Sequence, residues 1–140
     1  MTIIVDASTA IKWVLVEDGK PEAMALFREA PLIAPGLMPI ECANILSTRV
    51  RRGLISTADA QEALETILAA PVGIRAGEPL IPRAYALSVE LGRSAYDCLY
   101  LALAEAEGGV MVTADLKFVR AVVAHPAYAA LVRPLVAETD

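Results

Sequence analysis

Short runs of β-branched and aliphatic residues recur along this chain, each too short for a helix and each set apart by a stretch of helical period. Residues 2–5, 32–34 and 110–113 are such runs, and residues 72–74 give a weaker strand signal. Their apolar character, unbroken by alternating polar residues, marks strands buried on both faces. The intervening segments carry helix starts and stops. Pro21 suits the first turn of a helix that Pro31 ends. Pro39 opens a strongly periodic helix through Ile40, Ala43, Ile45, Leu46 and Val50, stopped by Gly53. Ser56 or Thr57 caps a helix running to about residue 70. Residues 80–91 form another, closed by Gly92, and residues 94–107 a further one, ended by Gly108-Gly109. A helix over 116–124 breaks at Pro126, and residues 131–136 add a last strand that Pro134 confines to an edge. Ser8 is the expected cap of the helix after the first strand, with Ile11, Val14 and Leu15 as its apolar stripe.

Strands that alternate with helices imply an α/β fold with a parallel sheet covered on both faces. At 140 residues, without repeats or a dividing linker, one domain over 1–140 is expected. A hydrophobic share of 56% exceeds what such a core requires, which points to a further surface buried against a partner. No apolar run approaches the length of a membrane span, and Asp6 interrupts the N-terminus before any secretion signal could form. Cys42 and Cys98 are lone thiols, with no CxxC pair and a single histidine, His125. That excludes a structural zinc site and favours buried thiols in a reducing, cytoplasmic setting.

The chemistry lies in the acids. Asp6 closes an apolar strand, Glu41 stands in an almost wholly apolar helix start, Asp97 is flanked by Tyr96, Cys98 and Leu99, and Asp115 follows Val110-Met-Val-Thr-Ala114. A carboxylate is costly to bury unless it is paired or bound to a cation, and none of the four has a basic neighbour beside it in sequence. Two of them fall just past strand ends, where open parallel sheets bind ligands. Carboxylates without soft ligands select a hard ion such as Mg²⁺ or Mn²⁺, whose natural task is phosphodiester hydrolysis. Each acid also has a purely structural reading, as a helix cap or dipole partner. A net charge of −5 argues mildly against nonspecific nucleic-acid binding, unless an ion neutralises the acids locally.

At these residues the chain resembles the PIN-domain family, particularly the VapC-type toxins of toxin–antitoxin pairs. The matching segments are Ile4-Val-Asp-Ala-Ser-Thr9, Glu41-Cys-Ala-Asn-Ile-Leu46, Tyr96-Asp-Cys-Leu-Tyr-Leu-Ala-Leu-Ala104 and Val112-Thr-Ala-Asp-Leu-Lys-Phe118, in the family's order and covering nearly the whole chain. The resemblance implies a three-layer α/β/α sandwich around a mostly parallel sheet of four to five short strands. It also implies a Mg²⁺- or Mn²⁺-dependent endoribonuclease, a homodimer and a cognate antitoxin. Asp6, Glu41, Asp97 and Asp115 become the catalytic set, with Asp6, Asp97 and Asp115 as metal ligands. Ser8 and Thr113 are supporting hydroxyls, and Asn44, three residues after Glu41 on the same helical face, is expected to orient it.

Lys12, Arg49, Arg51, Arg52, Lys117 and Arg120 are the candidates for RNA phosphate contact. Trp13 reads as core or interface rather than as a base-stacking platform. A haloacid-dehalogenase-type phosphatase would need a second Asp where Ser8 stands, and the adjacent acids of a response-regulator receiver are missing. The alternatives left open are a noncatalytic PIN-like interaction module and a PIN nuclease that processes RNA without an antitoxin.

Overall fold

The computed structural model describes residues 1–138. Strand β1 (Ile3–Val5) leads into a short helix α1 (Ala7–Ala10) and a 3₁₀ turn, Ile11–Trp13. Then follow α2 (Lys20–Glu29), β2 (Leu32–Pro35), α3 (Leu37–Arg51), α4 (Thr57–Ala69) and β3 (Val72–Arg75). The chain continues through α5 (Ile81–Leu91), α6 (Ala95–Glu107), β4 (Val110–Thr113), α7 (Leu116–Val123) and β5 (Val132–Pro134).

The five strands form one sheet in the order β3-β2-β1-β4-β5, and every pairing is parallel. All residues of β1, β2 and β4 are buried. Successive strand side chains point to opposite faces, so helices must cover both. This is the α/β sandwich expected of the alternating pattern. The outermost strands explain their weaker signals. β3 lies at one edge with Ile74 and Arg75 exposed, and Pro134 sits in β5 at the other edge, where a missing N–H is tolerated.

From β1 the chain builds outward to β2 and β3 on one side and reaches β4 and β5 on the other. The gap beyond the C-terminal ends of β1 and β4 is therefore the topological switch point of the sheet. Two glycines bring these strands together. Gly108 ends α6 in the left-handed region at φ 65°, and Gly109 lies so close to β1 that a Cβ there would stand 2.4 Å from the Thr2 carbonyl oxygen. Neighbouring Val110 then donates its N–H to Thr2.

Three local expectations are corrected. Asp6, not Ser8, caps α1: its carboxylate accepts from Thr9 N–H, while Ser8 lies inside the helix. The expected stripe through Val14 and Leu15 is cut short, because the chain tightens to a 3₁₀ turn and stops at Trp13. Helix α3 begins two residues before Pro39, since a first-turn proline forfeits no hydrogen bond that the helix would have made. The core expectations hold. Trp13 is buried, packs on Phe27 with ring centroids 4.6 Å apart, and donates its indole N–H to the Ala23 carbonyl. Both cysteines are fully buried, and burial raises their thiols to about 12 for Cys42 and about 11 for Cys98, so neither is a thiolate at neutral pH.

Candidate active site

Asp6 leaves β1 at the switch point, where its backbone turns into α1. Its carboxylate accepts hydrogen bonds from Thr9 N–H at 3.0 Å, Ser8 Oγ at 2.8 and 3.0 Å, and Thr113 Oγ1 at 2.5 Å. Thr113 is the last residue of β4, so this bond crosses from one strand end to the next. Thr113 Oγ1 also accepts from Asp115 N–H at 3.1 Å, and Ser8 Oγ accepts from Ala114 N–H at 3.1 Å. The two expected supporting hydroxyls thus stitch the ends of β1 and β4 together around one buried carboxylate. Its donors favour the charged form, but burial outweighs them and raises the Asp6 pKa.

The other three acids reach the same place from different elements. Glu41 lies in α3, Asp97 in the first turn of α6, and Asp115 caps α7 by accepting from Phe118 N–H at 3.1 Å. All four line one cleft of about 560 Å³, together with Ser8, Asn44, Ile40, Tyr96 and Tyr100. Among the described residues, no lysine or arginine lines it. Burial is the main cause that raises Glu41, with the charges of Asp97 and Asp6 adding to it. Burial likewise leads in raising Asp97, with the Asp115 charge behind it. Acids scattered over about 110 positions of sequence therefore share one electrostatic neighbourhood. The structural readings of Asp6 and Asp115 as caps are also true, since one oxygen of each carboxylate serves its helix.

Two residues that matter here were not singled out from the sequence. Tyr100, buried in α6 three residues beyond Asp97, donates its hydroxyl to Glu41 Oε1. The expected role of Asn44 as the partner of Glu41 is therefore filled by Tyr100. Asn44 lines the cleft but is exposed, and its carbonyl receives Ser47 Oγ. A hydroxyl inside the apolar face of α6 was the available signal, because a buried Tyr O–H needs a partner. Arg93, in the loop before α6, is the second: its Nη2 stands 3.6 Å from Asp115 Oδ2.

The expected phosphate-binding residues lie outside the cleft. Lys12 bonds Glu17 at 3.1 Å and the Asp18 carbonyl at 2.7 Å, and lines a separate pocket. Arg49 also pairs with Glu17, at 3.0 Å, and lies two turns beyond Glu41, roughly 12 Å along the helix axis. Arg51 donates to Ser47 and Thr48, Arg52 caps the exposed end of α3, and Arg120 pairs with Glu138. Lys117 is exposed in the first turn of α7, two residues from Asp115.

The lining suits a hard divalent cation: four carboxylates with the Ser8 hydroxyl beside Asp6, no thiolate or imidazole among the described lining residues, and mutual repulsion that a cation would relieve. Among the described residues no three acidic side chains are drawn together around one point.

A PIN domain model matches residues 3–123. The chain belongs to the PIN domain family. It is 36% identical over 115 residues to Ribonuclease VapC9 of Mycobacterium tuberculosis, covering 82% of this chain and 87% of that protein. It is 30% identical over 118 residues to Ribonuclease VapC3 of Pyrobaculum aerophilum, covering 82% of this chain and 90% of the relative. The fold matches the crystal structure of VapBC2 from Rickettsia felis bound to a promoter DNA fragment. The TM-score is 0.67 at 14% sequence identity, over 96% of this chain and 98% of the other. The matched residues 3–123 contain all four acids of the cleft, from Asp6 to Asp115.

Proposed function

We propose that this PIN domain is a Mg²⁺- or Mn²⁺-dependent endoribonuclease and the toxin half of a toxin–antitoxin pair. The observation that carries the reading is the convergence of Asp6, Glu41, Asp97 and Asp115 on one cleft at the switch point of the sheet. The relatives named as VapC ribonucleases support the substrate class and the toxin role.

Asp6, Asp97 and Asp115 would hold the ion. When bound, it supplies Lewis acidity, making water a stronger nucleophile at neutral pH and screening the scissile phosphate. The chain's own residues supply the rest. Ser8, Thr9 and Thr113 fix the Asp6 carboxylate so that it does not have to be reorganised during the reaction. Glu41, its pKa raised by burial, is the group suited to accept a proton from the attacking water, and Tyr100 holds it in orientation. Asp115 keeps one oxygen on Phe118 N–H and has the other facing Arg93. Lys117 and the α3 arginines are the candidates for contact with phosphates of an RNA that extends past the cleft.

The proposal includes an antitoxin that covers the cleft and a homodimer. Ile81, Tyr85 and Val89 lie at four-residue spacing along α5 and are each more than half exposed, an apolar stripe that supports a covered face. No helix among the described residues is long and apolar enough to cross a membrane.

The test is cleavage of structured and single-stranded RNAs by the purified chain with Mg²⁺, with Mn²⁺ and with EDTA, beside the Asp97→Asn variant. Cutting that needs the ion and is lost in the variant is expected. A folded protein that binds a divalent ion yet cuts nothing would favour the noncatalytic interaction module instead.

A further inference from the structure

Arg93 is the one basic residue in contact with the four acids among the described residues, and its geometry is incomplete. It follows Gly92 in the loop between α5 and α6, where its carbonyl accepts from Ser88 Oγ at 2.5 Å. Its guanidinium lies over the Phe118 ring, 6.0 Å from the centroid, and reaches Asp115 Oδ2 at 3.6 Å. That separation is an ion pair, longer than a hydrogen bond. The buried Nε has no partner at all. Arginine ordinarily engages a carboxylate through a two-pronged fork, and here neither prong is satisfied. The pair is held by charge, in a side chain positioned by packing on Phe118.

The two oxygens of Asp115 have separate duties. Oδ1 caps α7 through Phe118 N–H at 3.1 Å, while Oδ2 faces Arg93. Releasing Oδ2 leaves the cap in place, so Asp115 can change its cationic partner without unravelling the helix. Arg93 stands in this arrangement as the counter-charge for an acid of the cleft.

We propose that Arg93 is a positioning residue that holds Asp115 Oδ2 in the ion-free cleft and surrenders it when a divalent cation binds. This rests on the ion-site reading above and accounts for the acids lining one cleft without closing around a point. Exchange then couples ion binding to the release of a guanidinium at the cleft edge, a group suited to a phosphate oxygen.

Calorimetric titration of Mn²⁺ into the wild type, R93Q, D115N and the R93Q/D115N double variant tests it, with melting curves confirming that each is folded. Removing the competing guanidinium is expected to tighten Mn²⁺ binding in R93Q by about two- to fivefold, the worth of a partly exposed ion pair. R93K, which keeps the charge that holds the pair, stays near the wild type. In the D115N background R93Q tightens binding less, because the partner it competes for is gone and only its charge on Asp97 remains. Equal tightening in both backgrounds would mean a general field effect and overturn the exchange, as would unchanged or weaker binding in R93Q. Failure of the wild type to bind Mn²⁺ would overturn the ion-site reading and the exchange with it; binding without coupling to Asp115 overturns only the exchange.

Discussion

Replacing Tyr100 by Phe isolates one oxygen atom at the centre of the account. The ring is about 1% exposed inside α6, and Phe fills the same space, so packing is nearly conserved. What disappears is the hydroxyl donated to Glu41. A hydrogen bond to a charged group contributes about 1.5–3 kcal/mol, and the half-buried Glu41 can recruit water in its place, which puts the loss at or just below the bottom of that range. About 1–1.5 kcal/mol in a chain of this size lowers Tm by roughly 3–5 °C. The sign of the pH dependence is fixed. Burial already raises the Glu41 pKa, and the Tyr100 bond pulls it back down. Without that bond the pKa rises further. The variant's deficit should therefore be largest at neutral pH, where Glu41 is ionised, and shrink as acid protonates it. Thermal melts of both proteins at pH 4 and pH 7 in EDTA measure this, and the acid limb of the cleavage profile should move to higher pH in parallel. A deficit of equal size at both pH values would refute the reasoning and assign Tyr100 to packing alone.

Thr113→Val removes a donor to Asp6 and the acceptor of Asp115 N–H, so a loss of about 2–3 kcal/mol is expected by denaturant titration, with a matching fall in cleavage. Asp6, Glu41 and Asp97 all have folded-state pKa values raised by burial. The stability they contribute is complete below their unfolded values and is lost as pH rises through the folded ones, so Tm in EDTA should fall from mildly acidic to neutral pH. The lowered carboxyls of Glu29 and Glu105 act in the opposite sense, but both are largely exposed and their pairs with arginine are screened. Asp6→Asn should flatten the profile and saturating Mn²⁺ should offset the neutral-pH loss; a flat wild-type profile would contradict the clustering. Gly109→Ala drives a methyl to 2.4 Å from the Thr2 carbonyl oxygen, just before β1, and should cost about 2 kcal/mol in a chemical melt.

The parts of this molecule that repeat a pattern were legible in the sequence, and those that depend on a single three-dimensional contact were not. The central strands announced themselves because a strand buried on both faces is an unbroken apolar run, as in Val110–Thr113. The edge strand Val72–Arg75 has only partial cover and correspondingly little signal. The acids stood out because each interrupts an apolar segment, and that cue survives without any knowledge of distance. Tyr100 did not, since its pairing with Glu41 spans 59 residues of sequence. Arg93 beside Gly92 reads as an ordinary solvated loop cation until the fold brings Asp115 to it. Lys12 shows the converse error: six residues from Asp6 in sequence, it is turned by the 3₁₀ segment toward Glu17 and away from the cleft. Ser8 and Asp6 were exchanged in role because both are good caps, and only the backbone entering α1 decides between them.

The central claim is that four acids from four separate segments act as one ion-dependent hydrolytic site. The most direct measurement is RNA cleavage by D6N, E41Q, D97N and D115N, each folded by melting curve, assayed in Mn²⁺ against the wild type and against the wild type in EDTA. Every variant should lose at least about 100-fold, as expected when a group that stabilises the transition state is removed, and EDTA should abolish cutting. Wild-type cleavage in EDTA, or full activity in any variant that places its amide in this cleft, would contradict that claim.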